Sequence, residues 1–443
     1  MGLAPGGAWG AGAAWAENGR SAPDRRFRQD LSIEYLNSFI LPSQVFEVGE
    51  LGAGETDAGR TDASNIATAS TVGGLSAVTY DRQTGQFYAL SDDRRDPPNS
   101  ARIYELNLEL DPGGNAPGSP PGDRPQLIAA TVTRQITLKD ANGQPYSGGF
   151  DPEGLALSPS GSFFVSTEGN PAQGLAPGIF EFARDSGALL GELPVPTKYQ
   201  PGFTATGAKG RAQTPAQTPV QTPVQNQGTL PNQGFEALTL SATGSAPGDP
   251  LRLFVATEGP LVQDKPRSGL GGTARDRLLH YYLETGSLGD GRLNNGQPTN
   301  SGLGQNRPQL IAEHLYPLDP LPGSLFHGLS EILALDGEGH FLAMERALTP
   351  LGFDIKLFQI TLAGASDIST VPSLGGNLRG IVPIAKQRLL HLNDLGIALD
   401  NLEGMSWGPR LGDGSRSLLL ISDDNFKSFQ KTQILLFKVN WGA

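Results

Sequence analysis

Phe150 to Asn170 reads FDPEGLALSPSGSFFVSTEGN. Within it LALS and FFVST are short apolar runs of strand character, and SPSG between them is turn chemistry. Two strands joined so tightly form an antiparallel hairpin, in which the start of the first lies beside the end of the second. Glu153 and Glu168 are therefore expected side by side at one edge of a sheet. Two carboxylates held together repel unless a cation or a shared proton compensates.

The pattern recurs along the chain. GGLSAVTYDRQTGQFYALSDD begins at Gly73, GFEALTLSATGSAPGDPLRLFVATEG at Gly234, HGLSEILALDGEGHFLAMERA at His327 and NLEGMSWGPRLGDGSRSLLLISDDN at Asn401. A weaker copy, NLRGIVPIAKQRLLHLND, begins at Asn377 and brings the count to six. The first-strand position holds Ser76, Glu153, Glu236, Glu331, Arg379 and Glu403. The position ending the second strand holds Asp92, Glu168, Glu258, Glu345, Asp394 and Asp423. Charged residues make up only 18% of the chain, so six acids at six equivalent places are not expected by chance.

Most hairpins are followed by a third apolar run, such as RIYELNL from Arg102 or KLFQITL from Lys356, and several by a fourth. Four strands per unit, repeated about six times, predicts an all-β, six-bladed β-propeller with four-stranded blades. The last unit lacks its fourth strand. LSIEYLNSFILP, or FEVGEL from Phe46, is expected to supply it, so that the propeller is closed by an N-terminal strand. Residues 31–443 are read as one propeller domain and residues 1–30 as a disordered or processed tail. Residues 201–233, with QTPAQTPVQTPVQNQG, are read as a low-complexity insertion too poor in apolar residues to pack.

Composition narrows the chemistry. The chain has 443 residues, a net charge of −12 and no cysteine, which excludes thiolate metal sites, disulfides and a cysteine nucleophile. The negative charge argues against nucleic acid as partner. No stretch has the roughly 18 apolar residues of a membrane span. There is no G-x-S-x-G elbow, H-E-x-x-H helix or P-loop. Oxygen-rich acidic clusters suit hard cations, calcium first and magnesium second. The metal-ligating candidates are Asp92, Glu153, Glu168, Glu236, Glu258, Glu331, Glu345, Asp394, Glu403 and Asp423. In a repeat fold the same carboxylates can instead brace neighbouring blades by accepting backbone N–H groups. Arg94, Arg95, Arg346, Arg379 and Lys427 neighbour acidic positions and suit phosphate oxygens. His327 and His391 are candidate acids or bases, and Ser76 a candidate nucleophile.

The order and spacing of these motifs, from GGLSAVTYDRQTGQFYALSDD to LLLISDDN, resemble the phytase-like domain family, also called "esterase-like activity of phytase". The resemblance implies a six-bladed propeller and a hydrolase of phosphate or other esters, acting on a small anionic ester or phosphoester. Glu153, Glu331, His327 and Arg379 are the catalytic residues this reading nominates, with calcium as cofactor. The alternative is a non-catalytic binding propeller whose acidic ring is structural; a third reading is an esterase that needs no metal. A monomer in an exported, periplasmic or extracellular, location goes with the resemblance, although the first 20 residues make a poor signal peptide.

Overall fold

In this computed structural model the described residues are 24–440, without 25, 29, 43–44, 48–68, 95–99, 114–123, 147, 206–222, 244–248, 267–272, 285–292, 295–296 and 299–307. Most of the presumed tail, the low-complexity core of the 201–233 insertion and Arg95 therefore lie outside them.

The strands assemble into five four-stranded antiparallel sheets. From first to last strand, the first blade is Leu75–Tyr80, Phe87–Ser91, Arg102–Asp111 and Gln126–Thr137. The second is Pro152–Leu157, Ser162–Thr167, Gly178–Ala183 and Leu189–Glu192. The third is Phe235–Ala242, Leu251–Thr257, Arg275–Leu283 and Gln309–Pro317. The fourth is Phe326–Ala334, His340–Thr349, Gly352–Thr361 and Ala385–His391. The fifth is Asn401–Arg410, Arg416–Asp423, Gln433–Asn440 and, from the chain's beginning, Ser32–Ile40. Val45–Glu47 pairs instead with Ala69–Thr71.

The first strand of each blade packs beside the first strands of its two neighbours, and the fifth blade's lies against the first blade's. Five apolar clusters fill the five clefts between blades. Phe163 and Leu155 meet Ile103 between the first and second blades, and Phe164 meets Phe235 between the second and third. Phe254 meets Phe341 between the third and fourth, Leu342 meets Leu418 between the fourth and fifth, and Ile421 meets Val78 between the fifth and first. Each second strand is sandwiched on both faces. This explains why FFV, LFVA and LLLI are unbroken apolar runs rather than alternating ones.

The propeller thus has five blades, not six. The copy beginning at Asn377 is the end of the fourth blade: Ala385–His391 pairs with Gly352–Thr361 as its outer strand, and the preceding Asn377–Arg379 stretch is a turn. An outer strand followed by an acid reads, in sequence, like the second strand of a hairpin. Only a pairing partner separates the two, and here the partner precedes it.

Candidate metal centre

Close packing of the first strands sets the site. Each has a register break near its start, over Ser76, Glu153–Gly154, Glu236–Ala237, Ser330 and Glu403. Such a bulge twists the strand and re-aims a side chain. The residue that follows the bulged acid is small because the neighbouring first strand passes immediately beside it. A Cβ on Gly154 would collide with the Glu236 carbonyl oxygen, and one on Gly404 would meet Ala77 Cα at 2.9 Å.

The pairing fixes which positions are equivalent. Leu75, Pro152, Phe235, Leu329 and Leu402 face Ser91, Thr167, Thr257, Glu345 and Ser422. The inner ring position, one residue on, is therefore Ser76, Glu153, Glu236, Ser330 and Glu403. The outer ring position is Asp92, Glu168, Glu258, Arg346 and Asp423. In the fourth blade the expected acids, Glu331 and Glu345, sit one residue out of step, and a one-residue offset in a strand turns a side chain to the other face. Serine and arginine hold the ring positions there.

Seven carboxylates of the two rings line one cavity of ≈ 760 Å³, with Arg94, Arg346 and Lys427. One oxygen from each of Asp92, Asp151 and Glu153 lies within 4.8 Å of the others. The same holds for Glu153, Glu236 and Glu403, and for Glu168, Glu236 and Glu258. Arg346, itself buried, donates to Glu258 at 2.7 Å, to Glu403 at 2.6 Å and to Asn401 Oδ1. Arg94 Nε is 2.5 Å from Asp151 Oδ1. Asp151, not singled out by sequence, is the acid of the DPEG motif two residues before Glu153.

Glu236 is the most exposed to imbalance. It is 5% accessible, its carboxylate accepts no hydrogen bond from the described residues, and Arg346 Nη2 stands 4.0 Å away. Burial, then neighbouring carboxylates, pushes Asp92, Glu153, Glu168 and Glu236 well above the usual carboxylate range. Burial also raises Asp423, chiefly with Glu403 adding to it. Asp151 is pushed up to about 6, and Glu258 and Glu403 to about 7, against the pull of the adjacent guanidinium groups. Burial without enough counter-charge is the common cause.

The remaining nominated residues are elsewhere. Glu331 is buried, and its Oε1 accepts the backbone N–H groups of Ile332 at 2.9 Å and, on the third blade's first strand, Leu238 at 3.1 Å. It is a brace between blades. Glu345 accepts from the Tyr316 hydroxyl at 2.8 Å, the Asp319 amide at 3.2 Å and Lys386, and His327 Nε2 lies 3.4 Å from it. Neither Glu345 nor His327 lines the cavity. Arg379 is exposed in its turn. Asp394 is 77% accessible in a short 3-10 turn, 3.5 Å from His391 Nδ1. Both came from the copy that is not a blade. The paired acids divide their work: Asp92 and Asp423 face the cavity, while Asp93 holds Arg102 at 3.0 Å and Asp424 accepts the Gly74 amide at 2.9 Å. Ser76 Oγ is buried without a hydrogen-bond partner among the described residues.

All the donors that converge are hard oxygens, and they carry more negative charge than the local cations neutralise. That set fits calcium or magnesium, with Glu153, Glu168, Glu236 and Glu258 the residues best placed to hold one.

Five four-stranded blades with carboxylates gathered in one cavity define a β-propeller with an acidic cavity. Residues 70–426 match the family described as "Phytase-like: Esterase-like activity of phytase", and the chain belongs to it. No curated protein is significantly similar in sequence. Among solved structures the chain is similar to a calcium-binding protein, regucalcin, from Agrobacterium tumefaciens: 12% identity, TM-score 0.34, covering 83% of this chain and 91% of that one. It is also similar to a periplasmic gluconolactonase from Pseudomonas aeruginosa: 13% identity, TM-score 0.28, covering 86% and 93%. Likeness at this level says nothing of chemistry. No helix among the described residues is long and apolar enough to cross a membrane.

Proposed function

We propose that the protein is a metal-dependent hydrolase of phosphate esters, working in the acidic cavity. The observation that carries this reading is Glu236, a buried carboxylate whose oxygens stand within 4.8 Å of two separate carboxylate pairs while Arg346, 4.0 Å away, is shared with Glu258 and Glu403. Burying such a group uncompensated is strongly unfavourable, and a divalent cation removes the penalty. When bound, the cation supplies charge neutralisation and Lewis acidity at a phosphoryl oxygen. The chain's own groups do the rest. Arg346 and Arg94 present guanidinium groups to the same cavity, where planar donors suit phosphate oxygens. Lys427, exposed at the rim, adds a point charge. Asp92, whose Oδ1 is buried without a hydrogen-bond partner among the described residues, is available to take a proton from an attacking water.

The test is hydrolysis of an aryl phosphate monoester, a phosphodiester and a carboxyl ester, each with calcium and with chelator. Turnover of a phosphate ester with calcium and its loss in chelator is the expected result. Turnover unaffected by chelator sinks the metal requirement, and turnover of none in either buffer leaves the propeller as a binding module.

A further inference from the structure

The cavity has two kinds of wall. Glu153, Glu168 and Glu236 form the acidic one. The fourth and fifth blades and their loops contribute the apolar lining residues, Phe326, Leu348, Phe353, Leu399 and Phe429, alongside Asp400, Glu403 and Asp423. This apolar wall runs out to the rim, where Phe429 is 78% accessible, and Leu351, two residues before Phe353, is 100% accessible. Arg346 sits at the seam: its guanidinium lies 5.4 Å from the centroid of the Phe326 ring while its nitrogens hold Glu258 and Glu403. Among the described residues Phe429 has only the Lys427 ammonium near its ring face, 6.0 Å from the centroid, and apolar side chains gathered around a cavity mouth rather than scattered singly mark a surface that a ligand covers.

We infer that the substrate is amphiphilic: a single phosphate group at the acidic, cation-holding wall, esterified to an alkyl or aryl alcohol that lies along the Phe326–Leu348–Phe429 wall. This rests on the phosphate-ester reading above and deepens it. A polyphosphorylated, wholly hydrophilic ester matches the cavity poorly. Its further phosphates would meet mostly carboxylates, neutral amides and the apolar side chains, because Arg346, Arg94 and Lys427 are the only basic residues among the described residues lining it. A volume of ≈ 760 Å³ is ample for one headgroup and a short chain or ring. Phe429 and Leu348 are then specificity-determining, acting on affinity for the leaving alcohol rather than on the bond that breaks.

Two ligands that are not hydrolysed separate this inference from catalysis. Methylphosphonate and hexylphosphonate share the headgroup and differ by five methylenes. Titration calorimetry on the full chain in calcium is expected to show hexylphosphonate binding roughly tenfold or more tightly, since each buried methylene is worth up to ~0.8 kcal/mol. In Phe429→Ser and Leu348→Ser the preference should fall to under about threefold, with methylphosphonate affinity unchanged. Both substitutions are at the accessible rim, and a thermal melt checks that they fold. Equal affinities in the parent, no binding of either ligand, or a preference that survives both substitutions overturns the inference. Absence of turnover on every ester, with the preference intact, overturns the hydrolase reading alone.

Discussion

Stripping divalent metal and raising the pH should weaken the fold, and the effect can be sized. Glu258 and Glu403 titrate at about 7 in the folded chain against an ordinary value of 4.5. A carboxylate whose folded pKa is raised keeps its proton in the native state while the unfolded chain has already lost it. Its favourable contribution is therefore complete below about pH 4.5 and is lost as pH rises through about 7. For one such group, going from about pH 5 to about pH 8 removes roughly 2.5 kcal/mol. Both groups share Arg346, so the pair gives less than twice that figure. His280, held down to about 4 by burial, works in the opposite direction below its ordinary value of 6.5. That contribution is the same with or without calcium. The stabilisation added by calcium, read as the difference between urea midpoints in calcium and in chelator, therefore isolates the ring. It should grow steadily from pH 5 to pH 8, because metal ligands must be deprotonated and the deprotonated ring is what calcium relieves. A calcium increment that is absent, or flat across this range, would refute the argument that these carboxylates form an undercompensated cluster.

Glu236→Gln should cut the calcium increment while leaving the chelated protein neutral or slightly stabilised; Glu331→Ala, which strands buried amides, should lose roughly 1–3 kcal/mol equally in both buffers. Urea melts in the two buffers read both variants, and reversed behaviour would exchange the roles assigned to them. Arg346→Gln leaves Glu258 and Glu403 buried without their cation, so the chelated form should lose roughly 3–5 kcal/mol, part of it restored by calcium; an unchanged melt would contradict the ion pairs. Removing residues 31–40 takes away the outer strand of the fifth blade, so the whole domain should melt earlier in one cooperative transition by calorimetry. A truncated chain that melts like the parent would show that this strand is dispensable.

The hairpins were legible because their signal is local: a turn of SPSG type between two apolar runs needs no information from elsewhere in the chain. The convergence of Glu153, Glu168, Glu236, Glu258 and Glu403 was legible for the same reason, since the second, third and fifth units carry an acid at both ring positions. Blade number was not local. Deciding whether KQRLLHL is the second strand of a hairpin or the outer strand of a blade depends on which strand it pairs with, and Ala385–His391 pairs backwards, to Gly352–Thr361. The fourth blade failed for a subtler reason. GLSEIL offers a serine and a glutamate side by side, and FLAMER a glutamate and an arginine. Choosing the acid each time kept the pattern regular, yet the register selects Ser330 and Arg346. Aligning GLSE on GLSA of the first unit, where Ser76 already stood in the ring, was the available clue.

That departure from the repeat makes physical sense of the site. A ring faithful to its own pattern would place ten carboxylates around one cavity; this one has two serines, one arginine and seven carboxylates at those positions. Ten would leave a charge that no small number of divalent ions could neutralise, and a symmetric ring presents the same face to a ligand in every orientation. Replacing a carboxylate with Arg346 in the fourth blade does two things at once. It ties Glu258 and Glu403 of the flanking blades to a fixed cation, while Glu236 stands between them, grouped with Glu153 and Glu403 on one side and with Glu168 and Glu258 on the other. It also lets an aromatic ring, Phe326, approach the acidic cluster, because a guanidinium can stack on it where a carboxylate could not. The blade that breaks the charge pattern is thus the blade from which the apolar wall begins, and a single substitution in the repeat gives the cavity both its polarity and its direction.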